Sequence, residues 1–175
     1  TIWAVFDGDN TNYLRLHSTG ISSDSINAWN DTSPTATVFS VGGDGGDTNN
    51  TLGGTTIAYC WHSVDGYSKM GGYFGNNSDD GPFVYTGFRP AFILSKRWEG
   101  ADSWNMIDSA RDTYNAESDR KYLYADSSGS EYDRTYDIDF LSNGFKINDD
   151  QDDINAAVIY IYIAFAETPF KYSNA

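Results

Sequence analysis

The sequence has little cysteine and little positive charge, and each shortage narrows what the protein can be. Its one cysteine, Cys60, cannot form an internal disulfide. Because Cys60 lies in the strand-like run 57–61, we expect a buried structural thiol. Only 11 Lys and Arg oppose 25 Asp and Glu, which gives a net charge of −14. Phosphate backbones and anionic lipids would repel such a chain, which excludes nucleic acid as a partner, and the charge favours solubility and resistance to self-association.

The sequence also has no hydrophobic run long enough to cross a membrane. The longest apolar run, residues 156–166, falls short of the roughly 20 residues that span a bilayer. Membrane insertion is therefore not expected. The chain begins at Thr1 without a methionine, which indicates an excerpt or a processed product.

Aromatic residues and glycine are abundant, and together they indicate β-structure. Aromatic residues make up 16% of the chain, and its 17 glycines stand among many Ser, Thr, Asn and Asp residues typical of turns. The sequence shows no amphipathic helix, and only 110–118 is compatible with a helical turn. The predicted strands are short and separated by turns, and they lie at 2–6, 13–17, 35–41, 55–62, 83–86, 91–97, 104–107, 121–124, 135–140, 144–147 and 157–165.

Two of these segments indicate which faces are buried. Ile138 and Phe140 alternate with Asp137 and Asp139, as in a strand with one face toward solvent. Residues 157–165 are apolar on both faces, which predicts a central strand. We therefore predict an all-β fold: a mostly antiparallel β-sandwich or jelly-roll, similar to concanavalin-type lectins, with the whole chain, residues 1–175, in one domain.

A weak internal repeat divides the chain into two unequal copies. The order W-x-x-φ-D, then S-x-G-φ, then a long apolar strand occurs twice. The paired stretches are 3–7 with 104–108, 16–21 with 140–145, and 57–61 with 161–165. The repeat would give a partial copy, 1–65, and a fuller copy, 66–175. The glycine- and tyrosine-rich stretch 66–90 would then be a structural joint, because glycine permits sharp turns and aromatic rings pack between strands.

The same glycine- and tyrosine-rich stretch carries a resemblance to a known family. Residues 66–91, GYSKMGGYFGNNSDDGPFVYTGFRPA, resemble a repeat domain common in virion proteins of marine bacteriophages. Similar stretches at 29–34, 38–42, 142–146 and 164–172 extend the resemblance over nearly the whole chain. The resemblance implies a non-enzymatic structural protein at the virion surface, in a tail fibre or related appendage that serves assembly or host attachment. It also implies other virion proteins as partners and a homo-oligomer, and it brings no catalytic residues.

The best candidate for catalysis is the strand that contains Asp137 and Asp139. Some β-sandwich glucanases carry E-x-D-x-E on one strand face, and a glycosidase needs two carboxylates about 5–10 Å apart. Thr135 stands at the first position here, so a solvated strand face is the better interpretation and no enzyme is predicted. The sequence contains no Gly-x-Ser-x-Gly elbow and no P-loop lysine, and His17 and His62 lack zinc-ligand spacing.

Calcium is the one cofactor for which the sequence offers candidate sites. Acidic turns occur at 7–10, 44–47 and 149–153, and Ca²⁺ prefers several oxygen ligands on flexible loops. None of the three turns has EF-hand spacing. Solvated loops are the preferred interpretation, calcium binding is the alternative, and no other cofactor is expected.

Sugar binding is the main alternative to a purely structural role. Exposed Trp and Tyr rings in β-sandwich loops can stack on sugars, while Asp and Asn bond to hydroxyl groups. Trp29, Trp98 and Tyr114 lie in or beside turn-like stretches and are the candidate ligand-binding residues, with a host-surface glycan as the partner. Packing in a core or subunit interface is the competing interpretation of each ring. Two alternative functions therefore stand beside the tail-fibre role: a capsid decoration or head-fibre protein, and a carbohydrate-binding module.

Overall fold

Short strands dominate the described part of the chain. The computed structural model describes residues 3–43, 54–111, 115, 120–134 and 138–169. In chain order the elements are β1 (Ala4–Val5), β2 (Asn12–Arg15), β3 (Ser23–Asp24), α1 (Ile26–Trp29), β4 (Ser68–Phe74), β5 (Phe83–Tyr85), β6 (Pro90–Arg97), β7 (Asn105–Asp108), β8 (Arg120–Tyr124), β9 (Tyr132–Arg134), β10 (Ile138–Leu141), β11 (Gly144–Ile147), α2 (Asp152–Asn155) and β12 (Ile159–Ala166).

Most of the strands belong to two sheets that share one core. The larger sheet has the order β4-β12-β6-β7-β8-β9, and the smaller sheet has the order β10-β11-β5. Both contribute to one buried cluster, in which Phe140 and Phe145 come from the smaller sheet and Ile93 and Tyr162 from the larger one. Every strand pair within the described residues is antiparallel. The prediction of an all-β, mostly antiparallel sandwich is confirmed.

β12 lies inside the larger sheet, between β4 and β6, as predicted for a central strand. Tyr160, Tyr162 and Ala164 are buried on the core side of β12. Ile159 and Ile161 alternate with them and therefore lie on the outer face of the sheet, where both are only partly covered. One face of the strand is thus fully buried, and the other is open enough to border a surface cleft.

The glycine- and tyrosine-rich stretch forms β4 and β5 of the sandwich. β4 is not among the strands that the sequence predicts, because its two central glycines are unfavourable in a strand. Gly71 lies opposite Tyr162 of β12, and a Cβ at Gly71 would stand 3.3 Å from that ring. Tyr73 stacks on Tyr160, with ring centroids 4.9 Å apart. Cross-strand rings that cover and flank the glycines therefore help to hold β4 on β12.

The loop after β4 is fixed by one buried side chain, Asn155 of α2. Asn155 Nδ2 donates to the carbonyl oxygens of Ser78 (2.8 Å) and Asp149 (2.6 Å) and lies 3.0 Å from Asn76 Oδ1. Its Oδ1 accepts a hydrogen bond from the backbone N–H of Asn76 (2.9 Å). A Cβ on Gly81 would come within 2.7 Å of Asn155 Nδ2. The loop and α2 therefore form one packed unit in which the polar groups of the amide are satisfied.

Two predicted strands, 35–41 and 55–62, are wrong. Both segments are coil in the structure, and most of their side chains are exposed. Neither segment pairs with a neighbouring strand within the described residues, and β-propensity alone does not hold a strand without a partner. Cys60 lies in the second segment and is exposed, so the expected buried thiol is also wrong.

The internal repeat, with copies at 1–65 and 66–175, stays a prediction. Its third pair of stretches has two different structures. Residues 161–165 form the middle of β12, whereas 57–61 form no strand.

Helices contribute little to the described fold. α1 and α2 have four residues each. Most of the expected helical turn at 110–118 lies outside the described residues. In the ranges given above, no helix has the length and apolar character needed to span a membrane.

A third, small sheet with the order β1-β2-β3 is bonded to the sandwich. Trp104 Nε1 donates to the carbonyl oxygen of Arg15 (2.9 Å). The backbone N–H of Ser22 donates to the carbonyl oxygen of Trp98 (3.0 Å). These bonds place the acidic turn 7–10 of the small sheet beside Trp98 and the outer face of β12.

Candidate functional site

The structure gives different surroundings to the rings predicted to bind sugar. Trp29 is buried in the cluster of the third sheet, where its Nε1 donates to the carbonyl oxygen of Asn12 (2.9 Å) and its ring meets Phe6 edge-on. Trp29 is therefore a core residue rather than a stacking platform. Tyr114 lies outside the described residues. Trp98 is half-buried and borders open space.

An open cleft lies where the third sheet meets the outer face of β12. This Trp98 cleft has a volume of about 480 Å³ and is lined by Asp7, Gly8, Asp9, Asn10, Trp98, Ile159 and Ile161. A smaller depression of about 250 Å³ is lined by Asn12, Ile21, Ser22, Trp98 and Glu99. Because Trp98 lines both, its indole stands between two neighbouring depressions.

Three hydrogen bonds hold Trp98 in place. Its Nε1 donates to Asp7 Oδ2 (2.8 Å). Its backbone N–H donates to the carbonyl oxygen of Ile159, and its carbonyl oxygen accepts from the N–H of Ser22, both at 3.0 Å. A ligand that stacks on this indole would therefore lose little affinity to ordering the side chain.

Asp7 and Asp9 form the polar rim of the cleft and are joined by a glycine turn. Gly8 has φ = +103°, which residues with a side chain rarely adopt, so the turn depends on glycine. Asp7 also accepts hydrogen bonds from Ser22 Oγ and from the N–H of Asp9 (3.1 Å). Asp9 Oδ1 accepts from the N–H and the hydroxyl of Thr11, each at 2.9 Å, and these two bonds lower the pKa of Asp9.

The cleft combines an apolar floor with hydrogen-bond acceptors on its rim. Ile159 and Ile161 form the floor, and the carboxylates of Asp7 and Asp9 stand at the edge. Such a surface suits a sugar, which has apolar ring faces and hydroxyl donors. Glycoside cleavage needs a carboxyl whose raised pKa keeps it protonated as the general acid, and the pKa of Asp9 is shifted in the opposite direction. Asp9 is therefore suited to accept hydrogen bonds as a carboxylate rather than to serve as a general acid.

The strand considered for catalysis has the solvated face that its alternation predicts, as far as the structure describes it. Asp139 of β10 is partly exposed between the buried Ile138 and Phe140. Its Oδ2 accepts a hydrogen bond from Asn148 Nδ2 (3.0 Å). Asp137 lies outside the described residues.

The acidic loop 149–153 leads into α2. Asp149 Oδ1 accepts a hydrogen bond from the backbone N–H of Gln151 (2.8 Å). Burial raises the pKa of Asp149, and the nearby charge of Asp150 acts in the same direction. Within the described ranges, no group of three or more His, Cys, Asp or Glu side chains is arranged to hold a metal ion. The turn 44–47 lies outside those ranges, and calcium binding stays a prediction.

Sequence reasoning identified Trp98 but missed the residues that surround it. Asp7 stands 91 positions before Trp98 in the chain, and Ile159 comes from the last strand. The sequence does mark 7–10 as an acidic turn and 157–165 as an apolar strand. Their meeting at one indole depends on how the third sheet packs on the sandwich, which a single sequence does not reveal.

Comparison with known proteins places the chain in a family. No curated protein and no solved structure matches it. A family model matches residues 2–169, a range that includes both layers of the sandwich and the Trp98 cleft. The chain therefore belongs to the family described as Domain of unknown function (DUF7483).

Proposed function

We propose that this chain is a non-enzymatic structural component of a bacteriophage virion, in a tail fibre or related appendage. At the virion surface it presents a rigid face for assembly with other virion proteins and for host attachment. The proposal starts from the resemblance of residues 66–91 to a virion repeat domain. The packing of these residues in the sandwich supports it.

The observation that carries the proposal is that the residues of this motif build the sandwich. Tyr73 is buried against Tyr160, and its hydroxyl donates to the carbonyl oxygen of Ile154 (2.8 Å). Gly75 lies where a Cβ would collide with the carbonyl oxygen of Ala156. Side chains and backbone packed this closely define one rigid shape. A rigid shape is what a repeating assembly component requires.

The charge of the chain fits an exposed place on a particle. A net charge of −14 keeps a surface hydrated and opposes non-specific association. Two such chains meet the least repulsion where carboxylates are few.

Localisation on purified virions tests the proposal. Antibodies raised against the chain, followed by immunogold electron microscopy, should label tail appendages. Label confined to the capsid would favour the alternative role of capsid decoration or head fibre. Virions that carry neither label nor peptides of the chain in mass spectrometry would contradict a virion role altogether.

The Trp98 cleft favours glycan binding as a second candidate function. An indole held by Asp7, an isoleucine floor and a rim of acceptors form a surface that a sugar ring can cover. A host-surface glycan bound there would serve attachment. A carbohydrate-binding module outside any particle would use the same site.

Glycan-array screening followed by calorimetry tests this second candidate. Trp98→Ala should weaken the binding of a selected glycan at least about tenfold, which corresponds to about 1.4 kcal/mol. Trp98→Phe keeps a ring but loses the bond to Asp7, so its affinity should be intermediate. Tyr85→Ala, at an exposed ring on β5, is the matched control and should bind like the parent. Equal affinity of Trp98→Ala and the parent would rule out this cleft and leave the virion proposal unaffected.

A further inference from the structure

An uncharged, aromatic surface stands out on this acidic chain. Residues 48–64 contain no Asp, Glu, Lys or Arg, although 21% of the chain is charged. Within the described part of this stretch, Ile57, Tyr59 and Trp61 are all exposed. Large exposed apolar side chains that cluster together commonly mark an interaction surface.

Three of the exposed rings are stacked in a row. The Trp3 and Tyr59 rings have centroids 5.8 Å apart, and the Tyr59 and Trp61 centroids are 5.9 Å apart with nearly parallel planes. Trp3 is 42% exposed, Tyr59 59% and Trp61 57%. We call these three residues the aromatic ladder. Because the rings pack on one another, the ladder offers a pre-formed apolar surface to a partner.

The backbone beside the ladder is also unpaired. Within the described part of the chain, the N–H and C=O groups of residues 57–61 form no hydrogen bond. The same residues have the composition of a strand, and both their side chains and their backbone are open to solvent. An unpaired strand-like segment readily accepts a strand from another chain.

Charge decides which partner fits this surface. Two copies of a chain with a charge of −14 repel each other wherever carboxylates meet. Residues 48–64 are the longest stretch without charged side chains, so a second copy can approach there with the least repulsion. A basic partner would find no carboxylates in this stretch to pair with.

We propose that residues 57–61 pair antiparallel with the same residues of a second copy of this chain, about a twofold axis. The register that pairs all five residues sets Tyr59 opposite Tyr59 and Ala58 opposite Cys60. Directly opposed residues share one face of an antiparallel pair. Ile57, Tyr59 and Trp61 of both copies therefore lie on one face, where their rings form a continuous apolar layer. This interface is isologous and does not depend on the virion role proposed above.

Sedimentation velocity on the full chain under reducing conditions tests the pairing. A monomer–dimer equilibrium is expected, and the dimer should become tighter when salt is raised from about 0.05 M to about 0.5 M, because salt screens the repulsion between copies. Trp61→Ser should raise the dissociation constant at least about tenfold. Tyr85→Ser, at an exposed ring on β5, should leave it unchanged. A chain that stays monomeric at all salt concentrations would overturn the proposal.

A matched pair of substitutions at Ala58 isolates the role of charge. Ala58 is exposed, so neither change disturbs the core. Ala58→Glu places new carboxylates inside the contact and should abolish the dimer. Ala58→Gln has nearly the same shape without the charge and should dimerise within about threefold of the parent. Equal loss in both variants would contradict the charge argument.

Cross-linking tests the register. Opposed residues in an antiparallel pair have Cα atoms about 4.5–5.5 Å apart, within the range that a disulfide spans. Ala58→Cys should therefore form a covalent dimer with the native Cys60 on mild oxidation. Thr56→Cys lies two pairs away from that position, diagonal to Cys60 of the other copy at about 7–8 Å, and should form far less covalent dimer. Equal cross-linking of both variants would overturn the proposed register.

Discussion

Residues 57–61 and 161–165 are both continuous apolar runs, and their structures are opposite. The second run forms the middle of β12 and is paired on both sides, by β4 and β6. The first run is exposed and pairs with no strand of the described chain. The difference lies in the neighbours, because β4 and β6 offer β12 both hydrogen bonds and a core. An apolar run thus gives a segment the capacity to form a strand, and a partner decides whether it does.

The largest expected effect comes from the same substitution made in each run. Tyr162→Ser removes a buried ring that contacts Phe145 and covers Gly71. The free energy of unfolding should fall by about 3–5 kcal/mol. Tyr59→Ser should change it by less than about 0.5 kcal/mol. Urea unfolding at low protein concentration, where self-association does not contribute, measures both. Similar losses of unfolding free energy in the two variants would contradict the difference between the buried run 161–165 and the exposed run 57–61.

A smaller loss of stability is expected when the buried amide of Asn155, which holds the loop after β4, is removed. Asn155→Ala deletes a buried amide that bonds to Asn76, Ser78 and Asp149, and it leaves their groups without partners. The free energy of unfolding should fall by about 2–4 kcal/mol. Gln151→Ala, at an exposed residue at the start of the same turn, is the control and should change it by less than about 0.5 kcal/mol. A stable Asn155→Ala variant would show that the loop after β4 is held by other contacts.

The smallest expected effect on stability comes from Lys96, which lies on the covered part of the outer face of the larger sheet. Lys96 lies opposite Ile161, is fully buried, and donates to the carbonyl oxygens of Gly100 (2.8 Å) and Thr19 (3.3 Å). Burial lowers the pKa of Lys96 to about 8, although the charge of Asp102 opposes the shift. Below pH 8 the amine is protonated in both states, and its burial destabilises the folded state.

The sign of the pH dependence follows from that lowered pKa. Between pH 8 and the ordinary value of 10.5, the unfolded chain holds the proton of Lys96 and the folded chain releases it, so stability rises with pH. Relative to Lys96→Met, the free energy of unfolding of the parent should rise by about 2 kcal/mol from pH 7 to about pH 9.5. Burial raises the pKa values of Tyr73 and Tyr162 above 10, and these groups favour unfolding at still higher pH. If the free energy of unfolding changed with pH in the same way in the parent and in Lys96→Met, the lowered pKa of the buried amine would be contradicted.

Strands with a regular pattern and a local partner can be predicted from this sequence. Residues 144–147 were expected as a strand and form β11 with the same bounds, in a hairpin with β10. β4 could not be predicted, because its glycines become acceptable only once the ring of Tyr162 lies against Gly71 and the ring of Tyr160 stacks on Tyr73. The prediction at 55–62 is wrong for the opposite reason. Its pattern is typical of a strand, but no strand of the described chain pairs with it.

The candidate site could likewise be predicted only in part. Trp98 could be chosen as a candidate from its residue type and its place beside a turn, but those two features do not reveal whether a ring is exposed. Asp7 and Ile159 could not, because they reach Trp98 only through the packing of the third sheet on β12. Trp29 has the same residue type and a similar position beside a turn, but α1 places it in the core of the third sheet.

We propose that this sandwich is a building element of a virion. A cryo-electron microscopy map of the intact particle, resolved well enough to trace the chain, tests it most directly. The account predicts density for the sandwich in a tail appendage, with the motif residues 66–91 packed inside it. A particle map in which every protein is traced and this chain is absent would contradict the account.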